Sequence, residues 1–348
     1  MFKPFNAKIV SIITNTLNTK SFVINTDVNN SNINIEPGQF ITLSWIINGR
    51  EIRRSYSISK YYRKSHHEIQ FTVKRIENGL ISRYLHDEVQ VGDSVMVENI
   101  GGLFTLPKEI NDFNQIYFVV AGSGIAPVIP MIEYILANIP QLHIQLIYSN
   151  KNQHETIFFD LINQYQETYP NQLNVIYLFS ENDDILFSRL NNSLLTKLLH
   201  QTKKVDVSKI LCYTCGPVDY MDTVIITLLT EGVPKNNIRK ELFHTDEALI
   251  AAIPPDTTTR NVKIIFQNGQ TYQFEVQYPT SILNKALELG LRMPYSCGSG
   301  QCSTCTAKCV SGKVWMSYNE VLTDAELSKG LILTCTGFPI NGDVILEY

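Results

Sequence analysis

No stretch of this chain approaches the ~18–20 uninterrupted apolar residues that a membrane-spanning helix needs. The start, Met1 to Val10, lacks the charged flank and following apolar run of a secretory leader. Neither sign of charge dominates. Lys and Arg number 29 against 33 Asp and Glu, a net charge of -4, too near neutral for a nucleic-acid binder. There is no internal repeat and no low-complexity tract. These absences predict a cytoplasmic protein with no membrane span and no nucleic-acid partner. At 44% hydrophobic and 18% charged residues, the composition is that of a globular protein. A length of 348 residues leaves room for two or three domains.

Three blocks and a linker emerge. Residues 1–107 read as short strands, such as Phe5–Thr14, Gln39–Trp45, Arg53–Ser59, Ile69–Val73 and Ser94–Glu98. Turn pairs such as Pro37-Gly38, Asn48-Gly49 and Gly101-Gly102 separate them, which predicts a closed antiparallel β-barrel. In residues 108–245 apolar runs alternate with helical segments. The runs are Ile116–Val120, Ile144–Tyr148, Asn174–Phe179 and Ile210–Thr214; the segments include Pro127–Ala137, Phe158–Tyr169 and Tyr220–Glu231. That alternation predicts a parallel sheet covered by helices, an α/β domain. Residues 246–259, with Pro254-Pro255 and a run of threonines, read as a linker, part stiff and part mobile. Residues 260–348 open with a hairpin turning at Asn268-Gly269. A helix follows over Ser281–Leu289, with Thr280 as N-cap and Gly290 at its end.

Five of the seven cysteines fall between Cys297 and Cys335. The paired short spacings of zinc sites are missing. Cys297, Cys302 and Cys305 have instead the C-x4-C-x2-C spacing, and Cys335 supplies a distant fourth ligand, the set that holds a plant-type 2Fe–2S cluster. Two bridged irons need two thiolates each. Gly298 and Gly300 let the backbone wrap closely and aim N–H groups at sulfur. Cys309 lies in the predicted strand Thr306–Val310 and reads as a packed thiol.

Arg54-Ser55-Tyr56-Ser57 ends a strand of the first block. Alternate side chains share a strand face, so Arg54 and Tyr56 point the same way. They offer a cation for a pyrophosphate and a flat ring with a hydroxyl. Gly79 and Ser82 follow at the start of a short helix, Ile81–Asp87, and a helix N-terminus suits a diphosphate. Ala121-Gly122-Ser123-Gly124-Ile125-Ala126-Pro127 joins a strand to a helix. Glycines there allow a pyrophosphate to approach the backbone, although the full dinucleotide fingerprint is absent. Cys215-Gly216-Pro217 follows a second strand. Lys151, just after the Ile144–Tyr148 strand, is placed to meet a 2′-phosphate, while Glu181 would repel one or accept a ribose hydroxyl.

These segments together resemble the ferredoxin–NADP reductase superfamily. Residues 260–348 look like a β-grasp 2Fe–2S ferredoxin, through Pro294-Tyr295-Ser296-Cys297, Gly300-Gln301-Cys302-Ser303-Thr304-Cys305 and Leu333-Thr334-Cys335. The domain order, with Asn78-Gly79-Leu80-Ile81-Ser82-Arg83-Tyr84, is similar to the reductase subunits of bacterial phenylacetyl-CoA epoxidases. The resemblance implies an NAD(P)H-dependent oxidoreductase with FAD, preferred over FMN, and with NADPH preferred over NADH as donor. It implies flavin contacts at Arg54, Tyr56, Ser57 and Ser82. Through Glu241-Leu242-Phe243 it makes Phe243 a stacking partner for the flavin ring, the other reading being a core phenylalanine. It places the Cys215 turn near the nicotinamide and Ser180 at the ribose phosphate. Electrons would pass to a redox partner metalloprotein, a di-iron oxygenase complex in the epoxidase case. Reductases of aromatic-ring oxygenases, desaturases and hybrid-cluster proteins share this architecture. Glu-x-x-His occurs once, at Glu241-Leu242-Phe243-His244, short of the two such pairs that a di-iron centre needs, and no haem site is visible, which argues against a self-sufficient oxygenase.

Overall fold

A computed structural model of the chain describes residues 3–26, 33–47, 49–61, 68–182, 188–201, 206–243 and 252–348. Three sheets follow one another along it. The first is antiparallel, built from β1 (Phe5–Thr16), β2 (Thr19–Asn25), β3 (Phe40–Ile47), β4 (Arg50–Ser57), β5 (Glu68–Lys74) and β6 (Ser94–Gly101), in the order β4-β3-β6-β1-β2-β5. A bridge between Ile58 and Phe71 joins the end of β4 to β5, so the edges meet as a barrel should. Its interior is filled by Phe22, Ile24, Ile41, Leu43, Ile69, Phe71 and Val97, all fully buried. Phe22 stacks on Phe71 at 5.5 Å. Helix α1 (Leu80–Asp87) turns Ile81 and Leu85 into this core.

The second sheet is parallel, with β7 (Gln115–Ala121), β8 (His143–Asn150), β9 (Leu173–Phe179), β10 (Ile210–Cys215) and β11 (Ile238–Glu241) in the order β11-β10-β7-β8-β9. Burial on both faces explains why β7 is a continuous apolar run. Ile116, Phe118 and Val120 enter one core with α2 (Val128–Asn138) and α3 (Phe159–Thr168). Tyr117 and Val119 enter the other, with α4 (Asn192–Gln201) and α5 (Val218–Thr230). From β7 the chain winds outward to β8 and β9, then crosses back to β10 and β11. The order reverses between β7 and β10, which opens a crevice at their carboxyl ends where α/β sheets bind ligands.

The third sheet orders β12 (Arg260–Ile265), β13 (Thr271–Val276), β14 (Thr306–Met316), β15 (Leu331–Leu333) and β16 (Gly337–Glu347) as β13-β12-β16-β14-β15. Helix α6 (Ile282–Glu288) packs Ile282, Leu283 and Ala286 on it, and α7 (Asp324–Ser328) follows β14. The N-cap of α6 is Ser281, whose hydroxyl accepts from the Asn284 N–H at 3.2 Å, rather than the expected Thr280. Thr280 is one residue early because its own N–H closes a turn on the Gln277 carbonyl. The first part of the expected linker lies outside the described residues. The rest is fastened, not mobile. Asp256 accepts from the N–H groups of Thr258 (2.9 Å) and Asn341 (2.8 Å) and from the Arg260 guanidinium (2.9 Å). Those bonds hold its carboxyl well below the usual carboxylate range. Among the described residues no helix is long and apolar enough to cross a membrane.

Candidate active site

The cluster loop runs from Cys297 to Cys305, between α6 and β14. Cys305 and Cys335 are buried in the third core, at 2% and 7% exposure, while Cys297 and Cys302 are half-buried. The four thiols converge, with Cys297 in contact with Cys302 and Cys335, and Cys305 with Cys335. Sharing protons at such range drives Cys297 down through its contact with Cys302, and Cys335 up through its contact with Cys297. A cationic centre bound among them would stabilise all four as thiolates. Backbone N–H groups already point at sulfur, Ser299 to Cys297 Sγ and Cys297 to Cys302 Sγ, both 3.4 Å. Gly300 has φ +79°, and a Cβ there would stand 2.8 Å from the Tyr318 carbonyl, so only glycine fits this turn. Ser299 Oγ and Gln301 Oε1 are buried without a partner. This donor set fits a four-cysteine cluster. Cys309 lies half-buried in β14, its thiol on the Ser311 carbonyl, apart from the four.

On β4, Arg54 and Tyr56 share a face, as expected from strand alternation. Tyr56 stacks on Phe71 at 5.8 Å, and burial raises the pKa of its phenol. Arg54 donates to the Arg53 carbonyl at 2.7 Å and has no acidic partner among the described residues. Ser57 is buried. Ser82 stands at the start of α1. Its hydroxyl accepts from the Ile76 N–H and donates to the Gly79 carbonyl, bracing the turn that leads into α1. What α1 offers an anion is its first N–H groups, since Gly79 provides no side-chain cap.

The crevice brings Gly122, Gly124, Cys215 and Gly216 together. A Cβ on Gly124 would stand 2.3 Å from the Cys215 carbonyl, so the two strand-end turns touch through a glycine. Pro127 is buried at the N-cap of α2, and Pro217 stands at that of α5. Tyr148 donates to the Gly122 carbonyl at 3.0 Å, steadying the loop from β8. Cys215 is fully buried, and burial together with Glu241 pushes its thiol pKa well up. A thiol so raised stays protonated at ordinary pH. Asn150 Nδ2, Thr214 Oγ1 and Glu241 Oε2 lie buried without partners near the carboxyl ends of β8, β10 and β11, the polar groups that a nicotinamide nucleotide would satisfy. Lys151 is largely exposed, 4.0 Å from Glu155. The Ser180 N–H donates to the Asn150 carbonyl, and Asn152 holds the Glu181 carboxylate at 2.6 Å. Phe243 is 42% exposed just beyond β11, which removes the reading of a core phenylalanine.

Two residues beyond the expected set emerge. Glu241 pairs in register with Cys215 across β10 and β11, and burial pushes its carboxyl up to about 8. Its position two residues before Phe243 was the available signal. Lys74, at the end of β5, puts Nζ 3.8 Å from where a Cβ on Gly122 would sit. A cation ending a strand just before the Gly79 turn was its signal.

The oxidoreductase FAD-binding domain description matches residues 6–105, the oxidoreductase NAD-binding domain 118–225, and the 2Fe-2S iron-sulfur cluster binding domain 265–339. The chain is similar to a subunit of the 1,2-phenylacetyl-CoA epoxidase of Escherichia coli (strain K12), at 30% identity over 90% of this chain and 88% of that protein. The chain belongs to this family of three-domain FAD, NAD and 2Fe–2S oxidoreductases. It is similar also to the ferredoxin reductase component of a 3-ketosteroid-9-alpha-monooxygenase of Mycolicibacterium smegmatis, at 29% over 90% of this chain and 86% of that one. Phthalate dioxygenase reductase shares the fold, with TM-score 0.61 and 23% identity over 99% of this chain and 98% of that chain. An intact type IV self-sufficient cytochrome P450 monooxygenase shares it too, with TM-score 0.73 and 16% identity over 99% of this chain, which spans 41% of that one.

In this reductase the ferredoxin domain is docked on both others. Ser296, beside Cys297, contacts Ser55, beside Tyr56, at 2.8 Å between hydroxyls. The Arg53 guanidinium lies 4.3 Å over the Tyr295 ring. Lys235 pairs with Asp324 (2.7 Å), Arg239 with Glu326 (3.5 Å), and Lys240 with Glu320. Each is partly exposed and contributes roughly 0–1 kcal/mol, so the contact is separable. A cleft of about 380 Å³ between barrel and ferredoxin includes Arg53, Glu98, Arg292 and Thr304. It lies on the face of β4 opposite Arg54 and Tyr56.

Proposed function

We propose that this reductase takes electrons from NADH and hands them one at a time, through its cluster, to an oxygenase of the phenylacetyl-CoA epoxidase type with a di-iron centre. The observation that carries the route is the Ser296–Ser55 contact, which sets the cluster loop against β4, one strand's thickness from the face that bears Arg54 and Tyr56. When bound, FAD takes two electrons as hydride and releases them singly, and a 2Fe–2S cluster carries one. The chain's residues do the rest. Arg54 and the first N–H groups of α1 hold the flavin pyrophosphate; Tyr56, Ser57 and Phe243 bound its ring. Gly122, Gly124 and Gly216 admit the nicotinamide nucleotide against Cys215 and Pro217, with Lys74 near its phosphates. Cys297, Cys302, Cys305 and Cys335 hold the cluster.

NADH is favoured over NADPH because Asn152 fixes the Glu181 carboxylate beside Ser180, where it accepts a ribose hydroxyl and repels a 2′-phosphate. Lys151 is already near Glu155. The epoxidase partner rests on the 30% identical relative; the 29% identical ketosteroid monooxygenase component supports a ring-oxygenase partner as the second reading. Two measurements test this. Wild type should favour NADH in kcat/KM, and Glu181→Arg should reverse the preference; equal use of NADPH by wild type refutes the donor assignment. Mixing the reductase with a purified phenylacetyl-CoA epoxidase core and, separately, a ring oxygenase should give product with the first alone.

A further inference from the structure

Tyr348 is a tyrosine that the electron route does not use. Its ring stacks on Phe266 at 5.4 Å. Its hydroxyl meets the Thr334 hydroxyl at 2.8 Å and donates to the carbonyl of Cys305 at 3.3 Å. Thr334 is fully buried, and donates to the same carbonyl from its hydroxyl at 3.0 Å and its N–H at 3.2 Å. Two hydroxyl protons thus serve three contacts, so the carbonyl's two lone pairs accept from the Thr334 N–H and from one hydroxyl at a time, while the other hydroxyl donates to the first. That carbonyl belongs to Cys305, and Thr334 directly precedes Cys335.

We propose that the hydroxyls of Tyr348 and Thr334 are positioning groups for the inner pair of cluster ligands, fixing Cys305 and Cys335 to one another through the Cys305 carbonyl. The inference rests on the four-cysteine ligand reading. Two consequences follow from the geometry. First, the backbone at Cys305 is locked to the strand end that carries Cys335, so the spacing of these two sulfurs does not depend on the metal alone. Outer-shell bonds of this kind orient ligands and tune a metal. Second, a carbonyl pointing its negative end at an iron–sulfur centre disfavours the added electron. Filling both of its lone pairs, with the Thr334 N–H and one hydroxyl, lessens that effect, and hydrogen bonding around the sulfurs is among the settings of the potential. A phenylalanine would fill the same space and keep the Phe266 stack, so packing alone does not explain the hydroxyl.

The test uses the full-length holoprotein and five variants: Tyr348→Phe, Thr334→Val, Thr334→Ser, Tyr348→Phe/Thr334→Val and, for the ligand reading, Cys335→Ser. Cluster loss under excess chelator is followed by visible absorbance, and the reduced cluster by EPR. Removing one hydroxyl from the network should accelerate cluster loss roughly fivefold and change the EPR line shape, while flavin content stays at wild type. Thr334→Ser should behave as wild type. The double variant should fall short of the product of the two single effects, because the two hydroxyls share one bond. Tyr348→Phe and Thr334→Val that lose the cluster at the wild-type rate with an unchanged signal overturn the proposal. Cys335→Ser that keeps its full iron and sulfide overturns the ligand reading instead, so the two failures are told apart.

Discussion

Glu241→Gln should make the crevice strands more stable at neutral and alkaline pH and leave them nearly unchanged in acid. Glu241 has its carboxyl buried beside Cys215, with Oε2 unpartnered. Its folded pKa is raised from an ordinary 4.5 to about 8. A raised carboxyl pKa means that the folded state resists ionisation. Stability is therefore fully present below about pH 4.5 and is lost as pH rises toward about 8. At 1.36 kcal/mol per unit, the loss is about 3 kcal/mol by pH 7 and levels off near about 5 kcal/mol above pH 9. Gln keeps the shape without the charge, so the gap between variant and wild type should follow this curve. Both tryptophans, Trp45 and Trp315, lie outside the parallel sheet, so their fluorescence would not report on it. Hydrogen exchange by mass spectrometry on segments covering β10 and β11 does. At pH 5 variant and wild type should differ by under about 1 kcal/mol; at pH 8.5 the variant should be far better protected. An equal gap at all pH values refutes a neutral buried carboxyl.

Arg54→Ala removes from β4 a guanidinium with no acidic partner among the described residues and should weaken FAD retention by roughly 10–100-fold, the range of a charge-assisted bond. Iron content should stay constant; full flavin affinity by equilibrium dialysis would contradict the placement. Gly124→Ala pushes a methyl into the Cys215 carbonyl at 2.3 Å. It should raise KM for the nicotinamide donor at least tenfold by steady-state ferricyanide reduction, with flavin content unchanged, and an unchanged KM would remove the turn from the binding site.

Much of this arrangement was legible in the sequence because it is written in local pattern. The Cys297–Cys305 spacing, the apolar run of β7 and the alternation at Arg54 and Tyr56 each depend on near neighbours. What escaped depends on distant ones. Ser82 reads only as a flavin contact, and the fold adds a second task for its hydroxyl, bracing the turn between Ile76 and Gly79. Glu241 reads as a strand-end acid until β11 pairs with β10 and buries it against Cys215. Thr280 and Ser281 are both good caps, and the turn on Gln277 decides between them. The linker threonines read as mobile because Asn341, which helps fasten Asp256, lies some 85 residues away. The strand β2 was not singled out, although its residues fill the barrel core.

The central claim is that electrons leave through the cluster and not from the flavin. The most direct measurement compares the full chain with a truncation ending at Thr258, each mixed with NADH and the partner oxygenase in a stopped-flow instrument. The truncated reductase should bind FAD and reduce ferricyanide, yet leave the oxygenase oxidised, while the full chain reduces it after its own cluster bleaches. The ferredoxin block carries seven acidic and seven basic residues, so this transfer should depend only modestly on salt. A truncation that drives the oxygenase as fast as the full chain would contradict the account.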